Sequence, residues 1–314
     1  MGWYPSFLAP ILAATLLASL PSALPFKGGL ALIVIQAAGA FAAFALSALL
    51  GKTPIVLFGA IGLILFVSFA VIASGRAFFP TLLVLICFST IPIVAIDSPE
   101  HAGELPKALI RGMAIAVTAI WLAHAIWPRP VGEQSAASSA PTVVPLSLAL
   151  AGTAIVLPLM LVFLMWGLTD ALPVLITTVV LVVNFDPSRG ATQGAAMILG
   201  NFIGGMIAIL CHAVLDIAPS LFALGCIALL LGLFFGVRIA RGGPAASVAL
   251  ITFNQAVIML SLGLLPGPSS TGIWVTRLLQ FAVASAFAVG MMSFLLPRVA
   301  HGLKRVGEEK ALSS

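Results

Sequence analysis

The chain reads as all-α, a polytopic integral membrane helix bundle with about eleven transmembrane helices in two parallel repeats. Three observations lead there. Charged residues make up 7% of the 314 positions, against about 25% in a typical soluble domain. The mean hydropathy is +1.23 and apolar runs recur along the whole chain. In hydrocarbon every backbone N–H and C=O must be satisfied internally, so such runs become helices of ~20 residues. Finally, landmarks of the first half return in the second. Pro10, Lys27, Pro54, Arg76, Pro80, Arg111 and Pro128 are echoed by Pro173, Arg189, Pro219, Arg241, Pro244, Arg277 and Pro297, an interval of about 165 residues.

Spans are expected near 4–24, 28–50, 54–74, 78–96 and 105–127, which form a first repeat of about five helices over 1–130. The opening stretch to Phe26 holds no Lys or Arg and is followed by further apolar segments, so it is expected to be a span and not a cleaved signal peptide. Residues 131–142, small, polar and proline-bearing, read as a cytoplasmic linker. Spans near 143–166, 170–185, 189–214, 218–238, 244–264 and 272–296 form the second repeat over 143–298, followed by a tail over 299–314. Five spans are an odd number, so a copy following directly would be inverted. The extra span at 143–166 returns the chain to the starting side and makes the copies parallel, about an axis along the membrane normal.

Orientation follows from the basic residues. With Arg298, Lys304, Arg305 and Lys310 in the cytoplasm, the inside loops hold Lys27, Arg76, Arg129, Arg189, Arg238 and Arg241. The outside turns hold mainly Asp97, Glu100, Glu104, Asp170 and Asp216, with Lys52 and Lys107 as exceptions. That bias puts the N-terminus outside, in the periplasm of a two-membrane cell, and the C-terminus in the cytoplasm. Trp3, Trp166 and Trp274 then mark the outer edge and Trp127 the inner. The net charge of +5 is spread singly over segment ends, a pattern for membrane orientation and not for nucleic acid. Cys87, Cys211 and Cys226 stand alone in apolar runs, without metal or redox spacing.

Polar groups inside apolar segments are the candidate site. Arg111 and Arg277 occupy matching places in the two halves, each running on to a Pro-Arg stop. A guanidinium in hydrocarbon costs at least ~2.5 kcal/mol unless it is paired, wetted or bound to something. Either both snorkel to the outer headgroups, or they meet a substrate carboxylate, which their planar fork can hold with two hydrogen bonds. Asn254 and Gln255, at mid-span, could orient a carboxylate or ring hydroxyl, or bond helix to helix. His124 and His212, near opposite edges, serve packing or a proton relay. Asp186 and Arg189 make a turn with a local ion pair or a cytoplasmic gate. Gly200 and Gly204 have the spacing that lets helices approach closely. Asp97, Glu100, His101 and Glu104 share a helical spacing, but Pro99 and Gly103 point to a solvated loop. Gly51-Lys52-Thr53 lacks the earlier glycine of a phosphate loop, Leu46 standing there. No metal ligand set, no cofactor and no catalytic group are expected.

The stretch NFDPSRGATQGAAMILGNFIGGMIAILCHAVL, after the short span LPVLITTVVLV and before a proline-started helix pair, resembles the fusaric acid resistance family of bacterial inner-membrane proteins. The first half, FLAPILAATLLASLP through KGGLALIVIQAAGA to AIWPRP, is similar to the degenerate companion repeat of that family's compact branch. Larger members carry a cytoplasmic domain where this chain has only its linker. Plant aluminium-activated malate transporters look like distant relatives, with basic residues lining an anion pore. The resemblance implies an inner-membrane efflux pump for aromatic and other organic carboxylates, often working with a periplasmic membrane-fusion adaptor.

The sequence thus leads to a secondary transporter exporting small organic anions on the proton gradient, with Arg111 and Arg277 attracting the anion in a path between the repeats. Its partners would be the substrate anion, membrane lipid, the adaptor and, if the chain self-associates, a second copy. A passive anion channel is the nearer alternative, because no carboxylate stands at a clear mid-membrane position. A membrane-embedded enzyme acting on lipid is the remoter one, for want of an Asp-rich pair, an HExxH or a Ser/His/Asp set.

Overall fold

The computed structural model describes residues 8–19, 24–75, 77–126, 145–167, 172–183, 190–263 and, within 279–298, all but positions 281, 285, 296 and 297. Regular structure among them is helical throughout: α1 (Leu8–Ser19), α2 (Phe26–Leu50), α3 (Pro54–Ala73), α4 (Phe78–Asp97), α5 (Glu104–Ile126), α6 (Pro145–Met165), α7 (Leu172–Val183), α8 (Gly190–Ile217), α9 (Leu221–Ala240) and α10 (Gly243–Gly263). A 3-10 turn at Pro99–His101 joins α4 to α5, and Ala282–Leu295 is a further apolar helical stretch. Six segments are long and apolar enough to cross a membrane: α2, α3, α4, α5, the Ile198–Ile217 part of α8, and α9. The fold is an all-α, multi-pass membrane helix bundle.

The helices lie on the expected apolar segments, and local chemistry sets their ends. Thr53 Oγ1 donates to Leu50 O (3.2 Å), and Pro54 then opens α3 at the position where a missing N–H costs nothing. Ser220 Oγ accepts from the Ala223 N–H at 3.0 Å and caps α9. Between Asp97 and Glu104, where a loop is expected, the chain winds the short turn at Pro99–His101, and α5 starts at Glu104 with Pro106 in its first turn. The expected span at 272–296, the linker, the tail and Trp3, Trp127 and Trp274 fall wholly or partly outside the described residues.

The helices gather into two compact units, each drawing on both halves of the sequence. The second unit comprises Leu30–Ile110, Ser135–Gly194 and Ala284–Ser314. Here α3 lies along α6, and α4 packs on α3, α6 and α7. From Leu82 to Val94 every residue of α4 but Val84 is buried. Gly152 of α6 backs onto Phe69 of α3 so closely that a Cβ would come within 2.8 Å of its ring. Gly39 of α2 meets Val84 and Cys87 of α4 at ordinary contact distance, 3.5 and 3.7 Å from where a Cβ would stand.

The first unit comprises Met1–Gly29, Arg111–Gln134 and Ala195–Val283. Its axis is α10, packed on α9 and α1. Gly200 and Gly204 bring α8 onto α10: a Cβ on Gly200 would meet Thr252 Oγ1 at 2.9 Å, and one on Gly204 would overlap the Thr252 carbonyl and lie 2.9 Å from Gln255 Cβ. Trp121 of α5 donates from Nε1 to Leu24 O (3.0 Å) and stacks on Phe26, with ring centroids 4.9 Å apart. Helix α9 is the most open of the six long spans, 6% of its most apolar window being buried against 39% for α3. Phe235 is buried, but Leu221, Phe222, Leu229, Leu230, Leu233 and Phe234 face outward, as suits a lipid-facing surface. At its end Arg238 folds back over Phe234, 3.6 Å from the ring centroid, and donates to Phe234 O.

Candidate functional site

Hydroxyls and amides solve the problem of burial in hydrocarbon differently. A Ser or Thr hydroxyl can bond a carbonyl one turn back on its own helix, and here most buried ones do. Ser47 bonds Ala43 O (2.7 Å), Ser89 and Thr90 both bond Ile86 O (3.0 and 2.7 Å), Thr178 bonds Val174 O (2.9 Å) and Thr252 bonds Val248 O (2.8 Å). An amide carries two donors and an acceptor on one planar head, more than its own helix can satisfy. Buried amides therefore show where the bundle requires a partner from elsewhere.

Five amides among the described residues meet that condition, one of them Gln280, half-buried and with an unpartnered Oε1. Gln36 on α2, Asn201 on α8 and Gln255 on α10 are each 1% exposed, and Asn254 is half-buried beside Gln255. In the second unit Gln36 Nε2 donates to Cys87 Sγ at 3.2 Å, leaving Oε1 without a partner among the described residues. In the first unit Asn254 Nδ2 donates to Thr15 Oγ1 of α1 at 3.4 Å and its Oδ1 has none. Gln255 is the extreme: neither Nε2 nor Oε1 has a hydrogen-bond partner among the described residues. Leaving one such buried group unmade costs ~1–3 kcal/mol, so Gln255 is held against a clear penalty.

The backbone shows what holds it there. Gly204 lets α8 approach until it touches the Thr252 carbonyl, the Gln255 Cβ and the Ala256 N–H, which pins the stem of Gln255 between two helices while its head stays unmatched. Asn201 precedes Gly204 by one helical turn on the same contact face and has an interaction of its own. Asn254, Gln255, Asn201, Thr252 and Thr15 thus belong to the α1, α8 and α10 packing of the first unit, in a neutral, polar patch within apolar helices.

The other expected groups are placed as follows. Arg111 is half-buried on α5, two turns past Glu104, and is already engaged by the protein. Glu104 itself pairs with Lys107 at 3.0 Å, both largely exposed. His124, in the last turn of α5, directs Nδ1 to Ile120 O at 3.0 Å. His212 lies 3.6 Å from Asp216, one turn on and largely exposed near the end of α8. Each histidine is therefore tied to its own helix. Arg277, Asp186 and Arg189 fall outside the described residues. Asn201, Thr15 and Gln36 were not singled out by sequence reasoning; an amide alone within an apolar run would have flagged both Gln36 and Asn201.

Residues 1–123, which hold α1 to α4 and nearly all of α5, match the model of a family described as "Protein of unknown function (DUF2955)". No curated protein and no solved structure matches the chain.

Proposed function

We propose that this protein is a secondary transporter of the bacterial inner membrane that exports small organic carboxylates, aromatic ones foremost. The observation that carries the reading is Gln255, a buried amide near the centre of the apolar helix α10 whose hydrogen-bonding atoms have no partner among the described residues. A polar group is kept at that depth for a polar cargo, and the surrounding apolar helices suit an organic body. The resemblance to the fusaric acid resistance family supplies the carboxylate class. Arg111 and Arg277 attract the anion, and Asn254 and Gln255 receive its polar head.

The finer architecture we propose is eleven spans in two parallel repeats, with α6 as the extra span. The helix order supports it. Leu8 and Leu172, Phe26 and Gly190, Pro54 and Leu221, and Phe78 and Gly243 open successive helices of the two halves, at an interval of about 165 residues. Gln36 with Gly39, and Asn201 with Gly204, recur at that interval and in the same role, an amide one turn before a glycine that meets the fourth helix of its repeat. The family match ending at residue 123 spans one such half. The proposed orientation, with the C-terminus in the cytoplasm, is supported by Arg238 and Arg298, each lying over a phenylalanine one turn back at a helix end. Such groups anchor at a headgroup surface. A periplasmic adaptor completes the proposal for a two-membrane cell.

A passive anion channel is favoured by one observation. Among the described residues, α1 to α10 carry Asp or Glu only at their ends, at Asp97, Glu104 and Asp216. Proteoliposomes preloaded with radiolabelled benzoate separate the readings. A transporter gives saturable efflux above the leak of empty liposomes, lost in Gln255→Leu and slowed in Arg111→Gln. Non-saturating efflux that carries current assigns a channel, and efflux equal to empty liposomes for every carboxylate tried refutes both.

A further inference from the structure

The unmatched atoms of Gln255 specify the charge state of what it holds. A carboxylate accepts hydrogen bonds and donates none. It could satisfy Nε2 of Gln255, but its second oxygen would then face Oε1, lone pair to lone pair, in a low-dielectric interior where that repulsion is least screened. A group carrying one donor and one acceptor side by side fits both atoms at once. An undissociated carboxylic acid is such a group: its O–H donates to Oε1 and its C=O accepts from Nε2, in a closed pair of hydrogen bonds. Because both amide atoms are open, exchanging the assignment of N and O leaves the match unchanged.

We infer that the site at Gln255 takes its substrate as the undissociated acid, and that a proton therefore crosses with each carboxylate. This rests on the proposed transport of carboxylates. The balance is simple: the anion takes one proton from water on entering the site and returns it on leaving, with no covalent bond of the substrate's body changed and no net charge moved. Coupling to the proton then needs no carboxylate in the membrane helices, in keeping with the acidic residues of α1 to α10, which among the described residues lie only at helix ends. The drive for export is the outward difference in undissociated acid, not the proton gradient acting through a titrating side chain.

The protein's own ionisable groups around the site are few. There are none on α10 or α1 among the described residues. On α8 they are Cys211, His212 and Asp216, and on α9 Cys226 and Arg238. His212 stands eight residues past Gly204, ~12 Å along the helix.

Equilibrium dialysis of the purified protein with three radiolabelled ligands, across a pH series bracketing the pKa of the acid, tests the inference. The ligands are benzoate, its neutral amide benzamide, and benzenesulfonate, which stays ionised throughout. Apparent benzoate affinity should fall about tenfold per pH unit above the acid's pKa. Benzamide should bind with a pH-independent affinity, which also controls for titration of His212. Benzenesulfonate should not bind, and Gln255→Leu should lose both benzoate and benzamide. Benzoate and benzenesulfonate binding alike at every pH would overturn the inference and leave carboxylate transport standing. Benzamide binding to Gln255→Leu as to the parent would overturn the assignment to Gln255. Failure of all three ligands to bind would refute the transport reading itself.

Discussion

Helices α4 and α10 hold equivalent places in the order of their halves, and both run through the middle of a compact unit, yet they treat polarity in opposite ways. In α4 the polar pair Ser89 and Thr90 is buried and turned back onto Ile86 O, so each hydroxyl has a partner on its own helix. In α10 the pair is Asn254 and Gln255, and two amides stand where two hydroxyls would have been self-sufficient. Helix α4 meets α2 across Gly39 with room for a methyl group, whereas α10 meets α8 across Gly204 with room for none. Both units leave an amide oxygen unmet, at Gln36 and at Asn254, but among the described residues Gln255 of α10 is the amide with every polar atom open, beside a contact at Gly204 tighter than that at Gly39.

Four comparisons test that contrast, from the largest effect to the smallest. Gly204→Ala forces a Cβ into the α10 backbone and should lower stability by about 3 kcal/mol. Gly39→Ala should cost less than ~1 kcal/mol, and thermal unfolding in detergent compares the two. Equal losses would mean that the helix contacts are alike. In the same unit, Arg111→Gln should weaken carboxylate transport by the loss of a charge-assisted contact, ~1.5–3 kcal/mol or one to two decades, with Arg111→Lys restoring part of it. Lys107→Gln, which removes only a largely exposed pair with Glu104, should leave transport unchanged. Full rescue by lysine would reassign Arg111 to the headgroups.

Gln255→Leu should raise stability by ~1–2 kcal/mol, because it deletes a buried amide that has no partner, while abolishing carboxylate binding. Thr90→Val, the corresponding change in α4, should shift stability by less than ~0.5 kcal/mol. A destabilised Gln255→Leu would show that the amide is structural. The smallest effect concerns the turns before these helices. At the start of α10 two glycines adopt left-handed backbone, Gly242 at φ 71° just before it and Gly243 at φ 76° as its first residue, whereas ahead of α4 Ala77 does so at φ 45°. A side chain there is strained, so Ala77→Gly should stabilise by up to ~1 kcal/mol, read as a small rise in the same unfolding midpoint.

Much of this was legible in the residues. Few charges, long apolar runs and punctuation by proline and glycine located the helices, because hydrocarbon permits little else. Asn254 and Gln255 stood out for a related reason: an amide in an apolar run is conspicuous wherever its helix packs. Thr15 could not be found that way, since its hydroxyl resembles many that bond their own helix. Only its approach to Asn254, from a helix 239 positions away in sequence, distinguishes it.

What the sequence by itself determined, then, is the solvent and the elements: an apolar chain in a bilayer must make helices, and their lengths follow from composition. The tertiary structure decided which polar groups are met and which are left open. Gln36 stands alone in its apolar run and Gln255 beside one other amide, but Cys87 accepts a hydrogen bond from one and nothing described bonds the other. Hydrogen-bond satisfaction depends on the few ångströms between packed helices. Packing also sorted α1 with α8 to α10 and α7 with α4 and α6, so that each unit mixes both halves of the chain. Periodicity sets which residues form a helix; side-chain volume at the contacts, such as that at Gly204, sets which helix it meets.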